Sequence, residues 1–371
     1  MLTNEKKEVY KQMKFGYFTL TDNPVEYGDT RKDPNQMILD LEEQCIYAEE
    51  LGFNSVWVPE HHFAALGILP APATFLASVA AKTHRIKLAP ATVLLPAQHP
   101  VRVAEEWALL DVLSGGRTIF SAGRGYDKRE YDVFDIDFNK SREIFFESLD
   151  VVQKAWNSKD GHFSHQGEFF NFDEILLTPR PVQKSLPIYV AAFSEPSIRK
   201  AAEMGENVIF APFAANMVFG SMENAIKTFQ EASAAHGFSG KKASCSYFIN
   251  VTDTPEEEEA TKQRMLKYFT GLVPAFPEDP TKAPPNIRYF AEIVENLKSM
   301  TTDKLSDKSI IVGNAEYVTE KLKKIENAGL DEIILYFDFG GLSHLETMQA
   351  MERFATQVLP HFNQEDALVQ K

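Results

Sequence analysis

Short apolar runs alternate along this chain with longer stretches in which apolar residues recur every third or fourth position. The short runs lie at about 14–20 (KFGYFTL), 55–58 (SVWV), 87–95 (KLAPATVLL), 117–122 (RTIFSA), 187–192 (PIYVAA), 207–211 (NVIFA), 244–251 (SCSYFINV) and 331–337 (DEIILYF). Several are apolar at nearly every position, the pattern of strands covered on both faces. The stretches between them carry helix punctuation. Asp33 takes an N-cap position before Pro34, Met37, Leu41, Cys45 and Ala48 form one stripe, and Gly52 follows the end. Pro100 opens a second example, with Val103, Trp107 and Leu110 repeating the pattern until Ser114-Gly115-Gly116 stops it. A third helix is predicted over 315–328, ahead of Gly329.

Eight strands with helices between them read as an α/β fold, a (β/α)8 TIM barrel with insertions, rather than an open doubly wound sheet. A bare barrel takes about 250 residues, so the surplus is expected in excursions. Residues 158–186 read as a hairpin with an aromatic tip, and the proline- and charge-rich segment 270–308 as a long loop. One barrel domain is expected over 14–362, with 1–13 as an N-terminal extension and 363–371 as a tail. In such a barrel the residues just after each strand carry the chemistry.

Composition narrows the function classes. With 53 acidic and 38 basic residues the net charge is −15, which argues against a coat for nucleic acid or an anionic membrane. A hydrophobic fraction of 44% with 28 Phe suffices for a large core. Cys45 and Cys245 are too few for a disulfide scaffold or a four-cysteine zinc site. The sequence shows neither an 18-residue apolar run nor a secretory leader, so a cytoplasmic location is expected.

Three clusters at strand ends could carry chemistry. Glu60-His61-His62-Phe63 follows 55–58 and suits acid/base work, with His61 facing the mouth. The spacing does not favour a metal, because neighbouring side chains on an irregular segment diverge and no H-x-x-x-H is present. The bland alternative is a pair of histidines satisfied by local hydrogen bonds. Gly123-Arg124-Gly125-Tyr126-Asp127-Lys128 follows 117–122, and its glycines let backbone approach a ligand while the guanidinium reaches an anion. It is not G-x-G-x-x-G, and a turn with a surface arginine reads equally well. Ala191-Ala192-Phe193-Ser194-Glu195-Pro196-Ser197 joins a strand to a helix start, which suits an anion, although Ser194 serves equally as an ordinary N-cap. Arg142 offers a second cation. Phe339-Gly340-Gly341 stands where barrels often bind phosphate. The absence of a G-x-S-x-G elbow, a P-loop or a Cys/His pairing lowers the hydrolase, kinase and thiol-enzyme readings.

The ordered motifs resemble the bacterial luciferase-like flavin monooxygenase family. They are Met13-Lys14-Phe15-Gly16, Val56-Trp57-Val58-Pro59-Glu60-His61-His62-Phe63 with Gly67-Ile68-Leu69, Leu94-Leu95-Pro96-Ala97-Gln98-His99-Pro100-Val101-Arg102, Leu109-Leu110-Asp111, Gly115-Gly116-Arg117 and Gly123-Arg124-Gly125. The likeness runs over about 14–361 and is nearest to the luciferase α subunit. It implies a two-component monooxygenase, taking reduced FMN from a separate flavin reductase. With O2 this would form a flavin hydroperoxide that oxidises a small aldehyde-like or apolar substrate. By resemblance, Arg124, Arg142, Ser194, Ser197 and the amide of Phe193 would hold the FMN phosphate. Ala91 and Thr92 would flank the ring, Glu60 would line its pocket, and Gly123, Tyr126 and Ala192 would complete the cofactor site. His61 matches the acid/base histidine, His62 its neighbour, and 270–308 a lid. A homodimer is expected through 71–82 and 100–114, with a heterodimer as the alternative.

The departures are specific. Gly123 stands where luciferase α subunits carry a reactive cysteine, the loop after Gly125 is one residue shorter, and Phe193 replaces an acidic residue. The resemblance therefore favours monooxygenation over light emission. The other readings are a deazaflavin-dependent oxidoreductase on the same barrel and a non-catalytic flavin-binding partner subunit.

Overall fold

Alternate residues of β1 (Lys14–Phe18) enter two different cores: Phe15 and Tyr17 face the helices, while Phe18 faces the barrel interior. The same division recurs in β2 (Ser55–Val58), where Val56 and Val58 point outward and Trp57 inward, and in β12 (Glu332–Tyr336), where Ile333 and Leu335 oppose Ile334 and Tyr336. Strand side chains alternate faces, and here both faces are covered, which is why the runs read as continuously apolar. The computed structural model describes residues 12–362, apart from 64–65, 193, 212–214, 216–218, 274–294, 296–297 and 306–309.

The remaining barrel strands are β3 (Lys87–Pro90), β4 (Val93–Leu94), β5 (Phe120–Gly123), β8 (Ile188–Ala191), β9 (Asn207–Phe210) and β10 (Ala243–Val251). They pair in parallel in the order β3-β2-β1-β12-β10-β9-β8-β5-β4. The predicted run 87–95 is one stave that bends between β3 and β4, across the cis peptide Ala91–Thr92. Its first half pairs with β2 and its second half with β5, while Leu88 bridges Thr118, so the ring closes on eight staves. The (β/α)8 expectation holds. Two corrections apply. The fourth stave begins at Phe120, with Thr118 only in the bridge, and β11 (Ile310–Gly313) adds a strand beside the upper half of β10 that the sequence pattern did not reveal.

Helices follow the staves with the expected punctuation. In α1 (Pro34–Glu50) the Asp33 carboxylate accepts the Gln36 N–H, and Gly52 at φ 89° turns the chain away. The others that bear on the site are α2 (Pro72–Lys82), α3 (Pro100–Leu113), α4 (Lys128–Val133), α5 (Ser141–Asn157) and α6 (Glu195–Glu203). Later come α7 (Met222–Ala235), α8 (Pro255–Leu272), α9 (Ala315–Asn327) and α10 (His344–Gln357). The expected hairpin excursion is present as β6 (His162–Gln166) and β7 (Asn171–Leu176), paired antiparallel. Of the expected loop 270–308, the first residues finish α8, and most of the rest lies outside the described residues, as do 1–11 and 363–371. At the floor of the barrel Trp57 Nε1 donates to Ser55 Oγ at 2.7 Å and Ser55 Oγ to Glu332 Oε1 at 2.5 Å, so the buried carboxyl is satisfied. Among the described residues no helix is long and apolar enough to cross a membrane.

Candidate active site

Glu60 follows β2 and is buried, and its carboxylate is fully engaged. It accepts the Leu94 N–H at 2.9 Å and both close contacts of Gln98 Nε2, at 2.9 and 3.1 Å. The acid therefore ties the end of the second stave to the end of the third. His62 Nε2 stands 3.4 Å from Glu60 Oε1, with its ring edge-on to Phe134 at 4.8 Å. His61 faces a different carboxylate: its Nδ1 lies 3.6 Å from Glu130 Oε1, beyond hydrogen-bond range, and is buried with no hydrogen-bond partner. Glu130, on α4, accepts the His62 N–H at 3.0 Å and so fixes the loop that carries both imidazoles.

That loop is held from below as well. The His61 N–H reaches Leu69 O at 2.9 Å, and Ile68 N–H reaches Thr21 Oγ1 at 3.0 Å. A Cβ on Gly67 would collide with Leu20 O and crowd His61 Cδ2 at 3.1 Å, so only glycine allows this approach. Thr21 and Phe63 adopt positive φ, 54° and 61°, rare for such residues and here held by surrounding contacts. A cavity of about 190 Å³ opens beside Glu60 and His62, lined also by Gln98, Glu106, Trp107 and Phe134. Burial, and then the charge of Glu60, pushes the Glu106 carboxyl up.

Thr92, Gly123 and Ala191 meet at the tips of the third, fourth and fifth staves. A Cβ on Gly123 would stand 3.3 Å from Thr92 Cβ and 3.7 Å from Ala191 Cβ. The two candidate cations follow in sequence, Arg124 just after β5 and Arg142 at the start of α5. The Arg124 guanidinium sits over the Phe138 ring at 5.3 Å, and its carbonyl accepts the Tyr131 hydroxyl at 2.5 Å. Arg142 lies over Phe146 at 5.9 Å, and Lys200 of α6 lies against the same ring at 6.0 Å. Among the described residues neither Arg124 nor Arg142 pairs with a carboxylate. At the start of α6, Ser194 caps the Ser197 N–H at 3.4 Å, and the two hydroxyls are 2.9 Å apart. Ala192 is buried, its N–H bound to Ile209 O at 3.1 Å. Ser194 is therefore the N-cap of α6, with its hydroxyl beside that of Ser197.

Other expectations divide. Tyr126 is half-buried in the loop after β5, and the buried Tyr268 hydroxyl is pushed up first by burial, then by Asp22, with Tyr126 adding the smallest part. Phe193 lies outside the described residues. The loop Phe339-Gly340-Gly341 is not an anion site: the Gly340 N–H faces the Asp22 carboxylate at 3.4 Å, and a Cβ at Gly340 would collide with Arg264 O. An acid and α8 fill the place where a phosphate would sit. The sequence reading missed Glu130, Gln98 and Glu106, and also the buried pair Asp22 and Asp338, each with one carboxylate oxygen lacking a partner. Burial, and then Asp338, pushes the Asp22 carboxyl up to about 7.

The donor set fits a phosphorylated flavin. Two guanidiniums with no carboxylate partner among the described residues, and two hydroxyls at a helix start, are donors of the kind that suit a phosphate dianion. At Gly123 the side-chain space is taken by Thr92 of the neighbouring stave, and the His61 Nδ1 without a hydrogen-bond partner suits proton transfer to or from a bound ring.

Comparison with known proteins gives the same direction. The sequence model of the luciferase-like monooxygenases matches residues 13–332. The chain is 25% identical over 348 residues, 92% of its own length and 94% of the relative's, to the oxygenase component of a flavin-dependent trigonelline monooxygenase from Acinetobacter baylyi. It is 34% identical over 200 residues, 54% of each chain, to the alkanal monooxygenase alpha chain of the Kryptophanaron alfredi symbiont. Among solved structures, the monooxygenase RslO1 from Streptomyces bottropensis superposes with a TM-score of 0.77 at 26% identity, over 94% of this chain and all of that one.

Proposed function

The chain belongs to the luciferase-like monooxygenase family, and we propose that it is the oxygenase half of a two-component system, taking reduced FMN from a separate reductase and oxidising a small aldehyde-like or apolar molecule with O2. One observation carries this reading: among the described residues neither Arg124, just after β5, nor Arg142, at the start of α5, has a carboxylate partner, and the buried His61 Nδ1, after β2, has no hydrogen-bond partner. Arg124, Arg142, Ser194 and Ser197 bind the phosphate, and Ala91, Thr92 and Gly123 give the ring its bed. Bound reduced FMN would supply, with O2, the oxygen-transfer chemistry, through the flavin hydroperoxide that the resemblance implies.

The chain's own residues do the rest. Glu60 holds the ends of the second and third staves together, which keeps the bed rigid. His61 Nδ1 takes or gives the proton, and burial of the mouth limits water. The apolar Leu109, Val112 and Leu113 on the exposed face of α3, with Leu113 60% exposed, suit contact with a second copy of the chain.

The test is phosphate-specific. Arg124→Ala is expected to weaken reduced FMN by about 10–100-fold, the worth of one charge-assisted hydrogen bond, while riboflavin, which lacks the phosphate, loses far less. Equal losses for both ligands, or tight binding of a deazaflavin with none of FMN, would overturn the reading.

A further inference from the structure

Positions 92 and 123 share one side-chain volume. Gly123 closes β5, and Thr92 lies at the bend between β3 and β4 on the adjoining stave. Gly123 is not among the glycines with positive φ, so its backbone does not call for glycine. Space does: a Cβ there would collide with Thr92 Oγ1 and stand 3.3 Å from Thr92 Cβ. Thr92 cannot easily step aside. It is β-branched, so turning its side chain brings the methyl group into the same space unless only the hydrogen faces Gly123. Ala191 Cβ, at 3.7 Å, closes the other side. Among the described residues the Thr92 hydroxyl has no hydrogen-bond partner, and it stands in the mouth rather than in the core.

We propose that Thr92 supplies, from the neighbouring stave, the side chain that position 123 lacks, so that a hydroxyl from residue 92 is the polar group presented to the flavin at this point. The two positions then change only as a pair. A cysteine or alanine at 123 is excluded while Thr92 is present, which gives a physical reason for the glycine where the resembling luciferase subunits carry a thiol. The hydroxyl's role toward flavin rests on the function proposed above, whereas the shared volume does not.

The experiment separates the two. Thermal unfolding of the flavin-free protein is measured for Gly123→Ala, Thr92→Ala and the double variant, and anaerobic titration with reduced FMN for Thr92→Val and Thr92→Ser. Gly123→Ala is expected to lower Tm or the soluble yield clearly, and Thr92→Ala in the same chain to restore most of it. Thr92→Val, equal in size, should keep Tm yet weaken reduced FMN by about five- to tenfold, the worth of one hydrogen bond, with Thr92→Ser binding as the parent does. Additive Tm losses in the double variant would overturn the shared volume. Unchanged FMN affinity in Thr92→Val, with the parent binding FMN, would overturn the hydroxyl's role. A parent that binds no FMN, with the double variant still rescued, would instead sink the flavin reading and leave the shared volume standing.

Discussion

His61 and His62 are consecutive, yet each answers to a different acid, His61 to Glu130 and His62 to Glu60. Only the His61 ring keeps a buried nitrogen with no hydrogen-bond partner. His61→Ala should therefore lower kcat by about 10²-fold, the scale of general acid–base catalysis, with FMN affinity nearly unchanged. His62→Ala should disturb the cavity beside Glu60 and act mainly on KM. Steady-state kinetics with flavin titration decide, and equal kcat losses for both variants would contradict the division of roles. Glu130→Ala strands the His62 N–H and should lower kcat several-fold, while Glu130→Gln, which keeps an acceptor, restores most of it. At this scale the Glu60-His61-His62 cluster and Arg124 could be singled out as candidates, because their residue types follow a strand directly. Glu130 and Gln98 were not, since both meet the cluster only after distant staves are brought side by side.

At the level of elements, the hairpin of β6 and β7 is docked by one carboxylate. Glu147 on α5 accepts the N–H groups of Glu168, Phe169 and Phe170 at 3.0, 3.1 and 2.8 Å, and Lys140 lies over Phe169. Phe170 meets His99, at the start of α3, edge-on at 5.3 Å. Glu147→Ala leaves these amides without their acceptor, a cost of about 1–3 kcal/mol, and is expected to raise amide exchange in 160–177 while leaving the barrel staves protected. Uniform loss of protection would show that the hairpin is part of the global fold instead. The hairpin was legible from its turn residues and aromatic tip. The bend inside 87–94 was not, because an apolar run gives no sign of a change of partner. β11 was missed for a related reason: Ile310–Gly313 is short and follows a segment dominated by proline and charge. Its partner, the upper half of β10, is distant in sequence.

Across the whole molecule, eight staves separate an outer core under the helices from an inner one, and the mouth collects the polar groups that neither core can hold. The buried Asp22 there has consequences for stability. Its native pKa, about 7, lies above the ordinary carboxyl value of 3.8, so the native state keeps a proton that the unfolded chain releases. The stabilising effect is full below the ordinary value and is lost as pH rises through about 7. Asp22→Asn should thus gain on the parent between pH 5 and pH 8 by about 2–3 kcal/mol in urea unfolding, and parallel pH curves would contradict it. The net charge of −15 leaves the fold's few site cations, Arg124 and Arg142, as local exceptions to an acidic chain. The central claim, oxygen transfer from reduced flavin, is tested most directly by supplying reduced FMN, isotopically heavy O2 and a panel of long-chain aldehydes and ketones. The account predicts a product carrying one heavy oxygen atom and the loss of that product in His61→Ala. Oxidised FMN and hydrogen peroxide in equal amounts, with no labelled product, would contradict it.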